Sequence, residues 1–166
     1  MIGDELATAW NQTNTRQIEP GPGFGSQFIE GTVECEGPLL SQVDPAVAHR
    51  ILAFDWWVRN RDRIVKNPNL LWSHSEAHPY VIDHDQAGQT DGVEAFWQDH
   101  LFAPRSDPWM PPGLLGEMRT ALTQWPVIVA ELPSAWTNRT EGLSWFFKQL
   151  DQSTATTPNP DWRNYE

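Results

Sequence analysis

The pair Asp44-Pro45 is the tightest local constraint in this chain. An Asp side chain can accept from the free N–H groups of a first helical turn, and Pro suits the first helical position, where an N–H would lack a partner anyway. Val47, Ile51, Phe54 and Val58 then recur at steps of four, three and four, which sets them on one face of a helix over 45–59. That helix must stop in NRDRIVKNP, a stretch dense in charge whose Pro68 disfavours helical backbone at Asn67. NLLW (69–72) and YVID (80–83) follow as short strand candidates separated by SHSEAHP, and they predict an antiparallel hairpin with a longish loop.

Outside this centre the chain is broken by 14 Pro and 11 Gly. Residues 3–10 predict a short helix, NQTNTRQIEPGPGFGSQ is a connection, and only short extended candidates such as QFIEG and TVEC precede Asp44. Residues 1–43 are thus expected to be an irregular N-terminal segment. Beyond the hairpin, helices are predicted from Asp91 to about His100, over 113–125 with Leu114, Leu115, Met118, Leu122 and Trp125 at helical spacing, and over 140–152 with Thr140 as cap. Pro126 interrupts between the last two, and the tail 153–166 carries no apolar stripe. With 166 residues the expectation is one domain, 44–152, mainly α with a small β-hairpin.

Charge removes several functions. Lys plus Arg number 11 against 22 Asp plus Glu, a formal net charge of −11, so nucleic-acid phosphates and anionic lipid surfaces are repelled. No apolar run approaches the ~20 residues of a membrane span, and Asp4 and Glu5 stand where a signal peptide would carry basic residues. A single cysteine, Cys35, suits a reducing compartment, and the cytoplasm is the expected location.

Chemistry concentrates in residues 54–88. Asp62 and Asn67 have the D-x-x-x-x-N spacing of phosphotransferase catalytic loops, in which the Asp faces the acceptor hydroxyl and the Asn holds magnesium. With 11 Asp and 8 Asn in the chain, chance alone supplies roughly 0.5 such matches, and Asp55 to Asn60 is a second one. Topology separates the two. Asn67 precedes the first hairpin strand and Asp83 ends the second, so antiparallel pairing returns both to one end near Asp62, where their oxygens suit Mg²⁺ carrying nucleotide phosphates. Asp55, inside the helix, has no such place.

The same segment resembles the HipA-like serine/threonine kinases, through Phe54-Asp55-Trp56, Asn60, Asp62-Arg63, Asn67-Pro68-Asn69-Leu70-Leu71 and Ile82-Asp83-His84, with weaker similarity in FGSQFIEG (24–31) and LPSAW (132–136). The resemblance implies a protein-kinase-like C-terminal lobe of the HipA type, with Asp62 as catalytic base, Asn67 as loop metal ligand, Asp83 as the second ligand, Mg²⁺ and ATP as cofactors and a protein Ser/Thr as substrate. Asp55 and Arg63 fall on pattern positions read as structural, Asp55 accepting from loop N–H groups and Arg63 pairing with a carboxylate. Kinases also need a Gly-rich lid and a strand-borne Lys. Lys66 is the first lysine here, and GPGFGS (21–26) follows no strand. A separate N-terminal lobe or partner protein is therefore expected to complete the site, and the isolated chain to be weak or inactive.

Rival readings attach to the same residues. A non-catalytic interaction module would keep the fold without the chemistry. His74, His78, His84 and Asp85 could ligate zinc in a hydrolase, although Pro79 puts the H-x-x-x-H spacing in a loop. Trp56, Trp97, Trp125 and Trp145 read as core, and Cys35 between Glu34 and Glu36 is a poor nucleophile.

Overall fold

Asp44 caps the central helix as its chemistry dictates, its Oδ1 accepting from Ala46 N at 2.8 Å and Val47 N at 3.4 Å. The computed structural model describes residues 8, 12, 28–88, 99–103, 111–134 and 147–152. In order come strand β1 (Thr32–Glu34), a 3-10 helix (Gly37–Gln42), helix α1 (Pro45–Val58), strands β2 (Leu70–Ser73) and β3 (His78–Val81), and helices α2 (Leu114–Leu122) and α3 (Trp125–Glu131). Residues 147–152 are helical as well. The predicted helix at 3–10 and the one from Asp91 fall almost entirely outside the described residues, as does the tail from 153.

α1 ends where Arg59 turns into the left-handed region at φ 56°. Ile51, Leu52, Ala53, Asp55, Trp57 and Val58 are all buried, so the C-terminal half of the helix is enclosed on more than the single face that the sequence predicts. The reason is a core on each side. Leu52, Ala53, Trp57 and Val58 pack with Leu114, Met118, Leu122 and Leu150. Ile51 packs instead with Cys35, Val43, Leu70 and Trp72. Phe54, assigned to the buried stripe by its spacing, is instead exposed, its ring meeting His84 edge-on at a centroid distance of 5.4 Å beside an apolar groove between α1, β3 and α2.

The hairpin forms, but as part of a three-stranded antiparallel sheet in the order β1-β2-β3. TVEC supplies the third strand: Val33 pairs with Trp72, and Cys35 N donates to Leu70 O at 2.9 Å. Residues 32–43 therefore contribute to the sheet and to one core. β3 begins two residues earlier than the sequence predicts and includes Pro79, which leaves only residues 74–77 as the loop. Ile82 N donates to Asn69 O, so by alternation Trp72 and Pro79 form a non-hydrogen-bonded pair on an edge strand, where a missing N–H costs nothing. Asp83 consequently lies beyond the end of β3.

α2 buries Leu114, Met118 and Leu122 at steps of four. The predicted 113–125 helix divides at Thr123 because Pro126 can enter a new first turn but cannot continue an old helix. Among the described residues, no helix is long and apolar enough to cross a membrane.

Candidate functional site

Between α1 and β2 the chain makes a loop in which some side chains turn inward and others toward solvent. Asn60 and Arg63 are fully buried, whereas Asp62 between them is only half-buried. Asn60 and Arg63 both grip Asp55, itself 0% exposed on the last turn of α1. Arg63 Nε donates to Asp55 Oδ2 at 2.5 Å and Nη2 to Oδ1 at 3.2 Å, while Asn60 Nδ2 donates to Oδ1 at 3.1 Å. Asp55 thus accepts loop N–H groups as expected, but from side chains. Arg63 finds the carboxylate expected for it.

The fourth donor comes from far along the chain. His100 Nε2 lies 3.0 Å from Asp55 Oδ2, and its Nδ1 accepts from Phe102 N at 3.0 Å. The backbone donor fixes the tautomer, leaving the proton on Nε2, directed at Asp55. Burial pulls the Asp55 carboxyl upward, but the hydrogen bonds from His100 and Arg63 outweigh it and hold the carboxyl below its ordinary value. Burial lowers His100, against the pull of Asp55, so the neutral ring is favoured.

On the other side of the loop, Asp62 is held by amides. Its Oδ2 accepts from Asn67 Nδ2 at 2.7 Å and from Asn69 Nδ2 at 3.1 Å. Asn67 reaches back because Ile64 and Asn67 close a tight turn, with N to O distances of 3.2 and 3.0 Å, leaving Val65 and Lys66 at its exposed tip. Asn69 reaches it from left-handed backbone at φ 49°, a conformation Asn tolerates better than most residues. Both D-x-x-x-x-N spacings are therefore real hydrogen-bonded pairs, and burial separates them: Asp55 is sealed among donors, while Asp62 keeps a solvent-facing side.

Asp83 is exposed at φ 53°, and its Oδ1 accepts from Asp85 N at 3.3 Å. The register brings it to the Asn67 end of the hairpin, since Leu70 faces Val81 and Asn69 O takes the next bond from Ile82 N. Arg63 spans that end. Its Nη1 donates to Pro68 O at 3.1 Å and Asn69 O at 2.5 Å, and its Nη2 stands 3.2 Å from His84 Nε2. A guanidinium cannot accept, so His84 must, and its ring is neutral at Nε2. Burial first and the Arg63 charge second lower His84 below the ordinary histidine value.

The donor chemistry suits a hard cation. Asn67 spends its amide nitrogen on Asp62, which leaves Oδ1 as the atom able to ligate, and Asp83 offers an exposed carboxylate. Mg²⁺ bound with a nucleotide takes few protein ligands because phosphates and waters supply the rest. Zinc would need more. Among the described residues, no three His, Cys, Asp or Glu gather as metal donors; His74 is exposed and His78 packs edge-on against Tyr80.

The sequence reading gave no role to Asn60, Asn69 or His100. An Asn before a strand carries some signal, as a candidate for left-handed backbone. His100 carries none, because only tertiary folding brings it to Asp55. Cys35 is buried in a core, and burial pushes its thiol up.

A sequence profile described as HipA-like kinase matches residues 1–163, well beyond the 54–88 centre of the resemblance. No curated protein and no solved structure matches the chain. With nearly its whole length matched, the chain belongs to the HipA-like kinase family.

Proposed function

We propose that this chain carries the catalytic loop for Mg-ATP-dependent phosphoryl transfer to a Ser or Thr hydroxyl of a protein, in a lobe of protein-kinase type. One observation carries the reading. Asp62 is fixed by two side-chain amides on one side and left open on the other, in a loop that feeds a hairpin returning to Asp83. A carboxylate so oriented can take the proton of an acceptor hydroxyl as its oxygen bonds the γ-phosphorus and the bond to the departing ADP oxygen breaks. Asn67 Oδ1 and the Asp83 carboxylate would hold Mg²⁺, which when bound neutralises phosphate charge. Arg63 orients both segments from beneath.

A phosphate-contacting Lys and a Gly-rich lid belong to such sites, and Lys66 is the first lysine of the chain. We assign these parts to an N-terminal lobe or a partner protein. Phosphoryl transfer is catalysed almost wholly by positioning and electrostatics, so without them the turnover of this chain alone should fall by several powers of ten. Calorimetry tests the site apart from turnover. Mg-ATP should bind weakly to the chain, and Asp83→Ala should abolish that binding; equal affinity in wild type and Asp83→Ala removes Asp83 from the site.

A further inference from the structure

We propose that His100 is a positioning residue for the Asp62 carboxylate, acting through hydrogen bonds to Asp55 and Arg63 and through the 67–69 backbone that Arg63 holds. This rests on the reading of Asp62 as the group that faces the acceptor hydroxyl. His100 Nε2 and Arg63 Nε share Asp55 Oδ2, at 3.0 and 2.5 Å. Arg63 Nη1 then holds the carbonyls of Pro68 and Asn69, and the amides of Asn67 and Asn69, on either side of Pro68, hold Asp62 Oδ2. A carboxylate with four N–H donors has one orientation. Remove the His100 donor and Oδ2 keeps only Arg63 Nε, so Asp55 can rotate and the guanidinium that sets residues 68 and 69 can follow it.

The segment bearing His100 is built to hold this position. Leu101 N donates to Arg63 O at 2.9 Å, and His100 bridges to Ile64, so the backbone immediately after Asp62 is paired to this segment. Phe102 packs against both hydrophobic clusters, which anchors the segment on the two cores at once. His100 is 4% exposed and spends both ring nitrogens, one on Phe102 N and one on Asp55.

The test uses the full ¹⁵N-labelled chain and reads the side-chain amide resonances of Asn67 and Asn69, which report directly on their bonds to Asp62. His100→Leu deletes the donor, and His100→Gln restores an amide N–H at similar reach. The expected result is that Leu moves both amide pairs toward free-amide positions and Gln returns them at least halfway. His100→Asn, too short to reach Asp55 but still able to accept from Phe102 N, replaces Leu if the latter fails to fold and should give the same displacement. Amides that stay in place in a folded Leu or Asn variant overturn the proposal. So does a wild-type His100 ring carrying its proton on Nδ1, read from its ¹⁵N shifts. Mg-ATP titration stands apart: moved amides in a chain that binds no nucleotide support the positioning role while sinking the phosphoryl-transfer reading.

Discussion

At the residue scale, the decisive feature is a buried charge that cannot be left alone. Asp55 and Arg63 are both 0% exposed, so deleting one partner strands the other away from water. Arg63→Ala is expected to destabilise the fold by about 3–5 kcal/mol, measured by urea unfolding. Arg63→Lys should lose much of the same, because an ammonium cannot span Asp55 and the carbonyls of Pro68 and Asn69 together. The same cluster sets the response to acid. Asp55 and His100 both titrate below their ordinary values in the fold, so in that window the unfolded chain binds more protons and stability rises with pH. The His100 contribution is complete above about pH 6.5, the unfolded histidine value, and is lost as pH falls through its lower folded value; Asp55 adds a second loss below about pH 4. The urea midpoint should therefore drop from pH 7.5 to pH 5.5, and drop less in His100→Gln, with His84 leaving a residual slope in both. Equal drops would acquit His100.

At the scale of elements, local chemistry predicts well where its partners are local. The Asp44 cap and Pro45 define the start of α1, and Asp44→Ala should cost about 1 kcal/mol by thermal unfolding, through the loss of bonds to Ala46 N and Val47 N. The loop was legible for a similar reason, since Asn67 is close enough in sequence to return to Asp62 through the 64–67 turn. Pro79 misled because a breaker is judged in isolation, while its cost depends on which strand pairs with it and at which position. Leu70, fully buried at the start of β2, shows where burial takes over from pattern. Leu70→Ala should destabilise by about 2–5 kcal/mol, well above the cap deletion, and a smaller cost than Asp44→Ala would contradict the placement of that core.

For the whole molecule, α1 lies between two hydrophobic clusters and touches both, so the sheet and the later helices meet through it. The net charge of −11 acts against this compaction. Raising NaCl from 10 to 150 mM shortens the screening length from about 30 to about 8 Å, and the melting temperature should rise with it. A flat or falling response would mean that local ion pairs outweigh the self-repulsion. The basic residues Arg59, Arg61, Arg63 and Lys66 fall within eight positions around Asp62, which gives an acidic chain one locally cationic loop. Sequence alone determined the helix, expected at 45–59 and found at 45–58, the loop after it, the hairpin, and the adjacency of Asp62 and Asn67, because caps, turns and short-range pairing are settled by neighbours a few residues apart. Tertiary structure decided that TVEC joins the sheet and that His100 closes the shell around Asp55. Those contacts link residues some forty positions apart, and no local preference can encode a partner that only the folded cores bring within reach.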